Sequence, residues 1–236
     1  MKVICSGLLL FILSASATAS VVMNNTRVIY PSDKKSVNVQ LVNKSAESHL
    51  VQSWIDKGNP DEKPENLRLP LAVVPAVVKI AAGDGQLLTV VKNDLTKNLP
   101  ADRESLFWLN FIDVPPTPQN KSGNYIQFAV RNRVKVFYRP VGLKTELNNM
   151  QNYLQLTQQG NVACIKNSSP YYVTAAGLSA VKNGSKKDNL LNESLLIPPF
   201  SCQPLPQPRR SVAQGQAWLT YIDDFGTLRT VDIAVK

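Results

Sequence analysis

The chain holds 236 residues, 44% of them hydrophobic and 18% charged, with 26 Lys and Arg against 17 Asp and Glu for a formal net charge of +9. A basic balance favours acidic partners in general, but these charges are scattered along the chain, which argues against nucleic acid. Three cysteines and one histidine, with no CxxC or Cys/His spacing, exclude a metal or redox site of the usual kinds.

Residues 1–19 read as a secretory signal. Met1-Lys2 precedes the apolar run Gly7 to Leu13, small residues follow to Ser20, and Ala17-Thr18-Ala19 supplies an A-x-A cleavage site. A membrane anchor needs roughly 20 consecutive apolar residues, and Ala, Ser and Thr interrupt this run first. Cleavage after Ala19 is expected, leaving an exported protein with no membrane insertion. Cys5 lies ahead of the apolar run, not at the cleavage site, so it reads poorly as a lipid-anchor site. Only Cys164 and Cys202 then remain, and in an oxidising compartment two cysteines point to one disulfide.

After the signal, short alternating or β-branched runs recur with turn residues between them: Val37 to Val42, His49 to Ile55, Val73 to Ile80, Leu87 to Val91, Phe107 to Ile112 and Tyr125 to Tyr138. No segment keeps a helical period over three turns, so the spacing predicts an antiparallel sandwich. The pattern begins again with Tyr153 to Leu156, Val162 to Ile165, Tyr171 to Ser179, Ser194 to Ile197, Ala217 to Ile222 and Thr230 to Val235. Two all-β domains are therefore expected, 20–139 and 140–236, meeting near Arg139-Pro140-Val141-Gly142. Cys164 falls in the second run of the later domain and Cys202 near the start of the fifth. His49 has no orienting acid beside it in sequence and reads as a surface or packed side chain. Lys182 to Lys187 reads as a solvated loop, and Gly83-Asp84-Gly85 as a turn lacking the lysine and spacing of a phosphate loop, so no ATP is implied. Asn-x-Ser triplets such as Asn43-Lys44-Ser45 matter only in a host that glycosylates.

The segment Leu99-Pro100-Ala101-Asp102-Arg103-Glu104-Ser105-Leu106-Phe107-Trp108-Leu109-Asn110, followed by Val114-Pro115-Pro116, resembles the signature of the periplasmic pilus chaperones, the PapD-like family. Three further segments carry the resemblance in the same order: Thr26-Arg27, Val134-Lys135-Val136-Phe137-Tyr138-Arg139-Pro140, and Tyr221-Ile222-Asp223-Asp224-Phe225-Gly226. Phe111 stands where the family has an aliphatic residue. Val74-Pro75-Ala76 stands in place of a commoner Thr-Pro-Pro, which leaves the isomer of Pro75 open. The resemblance implies two immunoglobulin-like sandwiches set at an angle with a cleft between them. It also implies a periplasmic chaperone, with no enzymatic activity and no cofactor, that serves pilus subunits and delivers them to an outer-membrane usher.

Along the run from Tyr125, Ile126, Phe128 and Val130 share one face, because successive side chains of a strand alternate. Alternation alone favours packing into the protein's own core. The resemblance instead implies that this row enters the open groove of a subunit lacking its last strand, a known mode of chaperone–pilin recognition. Three such side chains, buried, contribute roughly 5 to 9 kcal/mol before association costs. The resemblance further implies that Arg27 and Lys135 hold the subunit's C-terminal carboxylate, that Glu104, Arg139 and Asp224 form a charge network between the domains, and that the short connector Pro116 to Asn124 belongs to the short-loop branch. Lys135 has the opposite parity to the apolar row, which requires either a bulge or a cleft and groove on different faces. A pilus subunit or adhesin would have one incomplete domain and a free donor extension. A secreted hydrolase would need a nucleophile with its base, or a metal cluster, and the sequence has neither.

Overall fold

A computed structural model of the chain describes residues 20–64, 67–117, 125–145, 147–159, 162–182, 184, 188–206 and 215–236. The signal segment, residues 118–124 of the connector Pro116 to Asn124, and most of the Lys182 to Lys187 loop lie outside these residues. The architecture is all-β, with two sandwiches, each around its own apolar cluster.

The first sandwich has nine strands: β1 (Val21–Met23), β2 (Arg27–Pro31), β3 (Ser36–Asn43), β4 (His49–Asp56), β5 (Leu71–Val74), β6 (Val77–Ile80), β7 (Gly85–Lys92), β8 (Ser105–Val114) and β9 (Val130–Arg139). They form a four-stranded sheet, β1-β3-β7-β5, facing a five-stranded sheet, β2-β9-β8-β4-β6. Alternation sets which side is buried. Val39 and Leu41 of β3 and Leu88 and Val90 of β7 meet Val51, Ile55, Phe107, Leu109, Phe111, Val136 and Tyr138 from the other sheet.

The strand expected over Val73 to Ile80 is two strands. The chain breaks at a cis Val74-Pro75 bond, and β5 pairs with β7 in one sheet while β6 pairs with β4 in the other. The run expected from Tyr125 to Tyr138 joins the sheet only from Val130, with residues 125–129 outside any strand. Both β1 and β2, too short to show a period, were not separated by the spacing.

The second sandwich comprises β10 (Leu154–Gln159), β11 (Val162–Asn167), β12 (Val173–Ser179), β13 (Leu195–Ile197), β14 (Ser201–Pro204), β15 (Gly215–Ile222) and β16 (Leu228–Val235), in the order β13-β12-β15-β16-β10-β11-β14. A short parallel pairing of β10 with β16 joins its two halves. Cys202 lies in β14, a strand of its own that the sequence pattern did not separate, paired with β11. The Cys164–Cys202 disulfide links these neighbours across a Cα separation of 5.5 Å.

Both sandwiches use the same corner. Asn43 at the end of β3 donates from Nδ2 to the carbonyls of Glu47 (2.7 Å) and Ile80 (3.1 Å), while its Oδ1 accepts from the Ser45 N–H and hydroxyl. Asn167 at the end of β11 does the same with Tyr171, Pro198 and Ser169. Both asparagines are buried, so these Asn-x-Ser triplets are structural brackets that satisfy backbone groups where the chain changes direction.

Candidate functional site

Strand β2 pairs with β9 in parallel, and Arg27 stands opposite Lys135. Both side chains therefore lie on one face, the outer face of the five-stranded sheet, which looks across to the second sandwich. Arg27 is only 8% exposed. Its Nη1 donates to the Ile222 carbonyl at 2.8 Å, and its Nε has no hydrogen-bond partner among the described residues. The Lys135 ammonium sits 5.1 Å above the Trp108 ring, and no carboxylate among the described residues pairs with it. Burial lowers the pKa of Arg27, with Asp224, Asp223 and Glu104 opposing it. Burial and then the Arg27 charge lower that of Lys135. Two partly desolvated cations are thus held side by side, an excess of positive charge that a neighbouring carboxylate would relieve.

Beside this pair, Arg139 spans the two sandwiches. Its Nε donates to Glu104 Oε1 at 2.7 Å, and Nη1 and Nη2 make a two-pronged contact with Asp224 at 2.6 and 2.9 Å. Glu104 Oε2 accepts from the Tyr172 N–H at 2.7 Å, and the Glu104 N–H donates to the Pro170 carbonyl. Phe137 packs on Tyr172 with ring centroids 5.8 Å apart. Burial raises the pKa of Glu104 despite Arg139 and the Tyr172 N–H. This is the reverse of the downward shift expected from the arginine alone. Burial presses on Arg139 too, but the hydrogen bonds and charges of Asp224 and Glu104 prevail and its pKa is raised.

The sequence reading missed a second cationic tier on the same face. Asp56, fully buried, accepts from Arg133 Nη2 (2.6 Å), Asn110 Nδ2 (2.7 Å) and the Gly58 N–H (2.6 Å), and lies 3.6 Å from Arg131 Nη2. Arg131 stacks on Trp54 at 5.0 Å and Arg133 on Trp108 at 4.4 Å. Arg131, Arg133 and Lys135 at every second position were the visible signal, but the acid that the two arginines share lies more than 70 residues earlier. His49 is packed, the second of its two expected placements, and its orienting acid comes from far along the chain: its Nδ1 lies 2.6 Å from Asp113 Oδ1, whose Oδ2 accepts from the Val21 N–H.

The pairing of β8 with β9 runs without a break from Ser105↔Tyr138 to Asp113↔Val130. No bulge intervenes, so parity alone assigns the faces. Odd positions of β9 face the cleft, with Lys135, Phe137 and Arg139, while Val136 and Tyr138 enter the core. Val130, the first residue of β9, shares the parity of Val136 and Tyr138, and it and the apolar residues just before the strand are uncovered: Ile126 is 82% exposed, Phe128 74% and Val130 50%. Because β2 first pairs at Arg27↔Lys135, no described strand pairs with residues 130–134 on that side. The structure thus brings together Arg27 with Lys135, and Glu104 with Arg139 and Asp224. It leaves Val130 at the start of β9, and Ile126 and Phe128 just before it, uncovered. Among the described residues no cluster of His, Cys, Asp and Glu could hold a metal, and no helix is long and apolar enough to cross a membrane.

Comparison with known proteins gives two domain matches. Residues 20–144 match the N-terminal domain of the pili and flagellar-assembly chaperone PapD, and residues 149–232 match the pili assembly chaperone PapD C-terminal domain. The chain is 37% identical over 224 residues to the probable fimbrial chaperone YehC of Escherichia coli K12, covering 93% of this chain and 89% of that one. It is 32% identical over 231 residues to the chaperone protein MrkB of Klebsiella pneumoniae, covering 96% of each. Among solved structures, the CupB2 chaperone of Pseudomonas aeruginosa superposes with a TM-score of 0.76 at 31% identity, over 91% of this chain and all of that one. The chain therefore belongs to the PapD-like family of pilus assembly chaperones, which are binding proteins and not enzymes.

Proposed function

We propose that this chaperone, exported to the periplasm by cleavage after Ala19, captures pilus subunits by lending them residues 125–134 and hands them to an outer-membrane usher. The observation that carries this reading is the exposed row Ile126, Phe128 and Val130, which leads into an edge at residues 130–134 that no described strand covers and that ends where Arg27 meets Lys135. A subunit lacking its last strand exposes core side chains and unpaired backbone groups, and both invite aggregation. An added strand covers the first with the apolar row and the second with ladder hydrogen bonds. Arg27 and Lys135, fixed by the fold, hold the subunit's terminal carboxylate and so set the register in which the strand zips, since a slip of one residue would turn the row away from the groove.

Glu104, Arg139 and Asp224 act as the structural joint that keeps the second sandwich against the anchor. The boundary between the two domains falls after Arg139, and the short connector places the chain in the branch serving rod-like pili.

Co-expression with a pilus subunit encoded beside this gene tests the proposal. A soluble complex recovered from periplasmic extract is expected with the natural chain. Equal recovery of subunit without the chaperone would overturn it.

A further inference from the structure

Phe225 is 92% exposed, yet its turn is firmly held. Asp223 Oδ1 accepts from the N–H groups of Phe225 (3.0 Å) and Thr227 (2.8 Å), and its Oδ2 accepts from Arg229 Nε at 3.0 Å. Gly226, at φ +84°, lies so close to the first sandwich that an added Cβ would come within 2.7 Å of Thr26 Oγ1. The carbonyl of Ile222, the last residue of β15, accepts from Arg27. The β15–β16 turn is therefore clamped beside the anchor with a large apolar side chain left in solvent.

A cavity of about 400 Å³ opens between these elements, with Arg27, Tyr221, Phe225, Leu147 and Met150 among its walls. The acids in its wall are matched: Glu104 and Asp224 by Arg139, Asp223 by Arg229. Arg27, buried and with Nε unpartnered, is the wall cation with no carboxylate partner among the described residues. A group fitting here carries a carboxylate for Arg27 and, next to it, an apolar body for Phe225 and Tyr221.

We propose that this cavity is a subsite for the terminal side chain of the captured subunit, with Phe225 as a specificity-determining residue that favours an aromatic or large aliphatic C-terminal residue. The inference rests on the carboxylate-anchor reading above. The anchor recognises that a chain ends, and the cavity reads which residue ends it. A charged terminal side chain is disfavoured because the acids and arginines of the wall already satisfy one another.

Titration calorimetry of the full chain with short peptides of one common sequence, differing only in a last residue of Phe, Ala or Asp, tests this, with a C-terminally amidated Phe peptide as the fourth probe. The Phe acid should bind about tenfold tighter than the Ala acid, the Asp acid should be weakest, and the amide should lose most binding. Phe225→Ala should bring the Phe and Ala peptides to within about twofold of each other, and Phe225→Tyr should restore the preference. Melting temperature should not move in either variant, since the ring is in solvent. Equal binding of Phe and Ala acids by the natural chain, with the amide still weak, would overturn the subsite and leave the anchor standing. Binding indifferent to amidation, or no binding by any peptide, would overturn the anchor itself.

Discussion

Arg27 of β2 and Lys135 of β9 stand directly opposite each other in a parallel ladder, so two cations occupy neighbouring positions on one sheet face. Neither has an ion-pair partner among the described residues, and burial lowers the pKa of both. For folding alone this is an unfavourable arrangement. Arg27→Ala or Lys135→Ala should therefore abolish capture of a pilus subunit in pull-down while leaving the circular dichroism spectrum unchanged. Lys135→Ala should keep or slightly raise the melting temperature, and Arg27→Ala should lower it modestly by losing the hydrogen bond to Ile222. Full subunit capture by either variant would sink the anchor.

The lowered pKa of Lys135 gives a pH dependence of known sign. Its folded pKa lies below the ordinary lysine value near 10.4, so in the window between the two the unfolded chain binds more protons. The contribution of this group to stability therefore rises with pH through that window. Subunit affinity should do the opposite, because deprotonation removes the charge that holds the carboxylate. Affinity measured across the alkaline range should fall at a lower pH for the natural chain than for Lys135→Arg, whose guanidinium stays charged. Superimposable profiles would contradict the prediction.

Arg139 should be the costliest of the interdomain residues to remove. Arg139→Ala leaves Glu104 buried without its cation, and breaking a buried pair in this way costs about 3–5 kcal/mol. Glu104 already has a raised pKa, so its contribution to stability is full below its unfolded value and is lost as pH rises through the folded one. Without Arg139 that pKa rises further. Urea denaturation should show the deficit of the variant shrinking on acidification through this range, and a deficit constant with pH would contradict the account.

The Cys164–Cys202 bridge closes a loop of sequence separation 38. On the chain-entropy model, replacing both cysteines with serine should lower stability by about 3–4 kcal/mol. The bridge lies in the second sandwich and away from the lent strand, so subunit affinity below the melting transition should be unchanged. A loss of affinity with folding intact would mean that β14 takes part in binding.

Much of this fold is legible because most strands have one buried and one solvated face. Alternation exposed β3, β4, β7 and β8 directly. It misled at Val73 to Ile80, where apolar residues continue across Pro75 although the chain changes sheets, and it missed Ser201 to Pro204, four residues with no apolar period. Pairs joined only by the fold left no local trace: His49 with Asp113, and Asp56 with Arg131 and Arg133. The Asn-x-Ser corners were within reach. Asn43-Lys44-Ser45 and Asn167-Ser168-Ser169 end corresponding strands, and that repetition between domains was the signal of a structural role. Of the two ways to reconcile the parity of Lys135 with the apolar row, the unbroken β8–β9 register removes the bulge and leaves different faces.

The central claim is that Ile126, Phe128 and Val130 serve a partner and not this protein's own core. The most direct measurement is subunit affinity and melting temperature together for Phe128→Glu. The side chain is 74% exposed, so stability should change by less than about 0.5 kcal/mol. Subunit binding should weaken by about a hundredfold or more, because an apolar contact is lost and a carboxylate would have to be buried. A large fall in melting temperature with subunit binding intact would contradict the account.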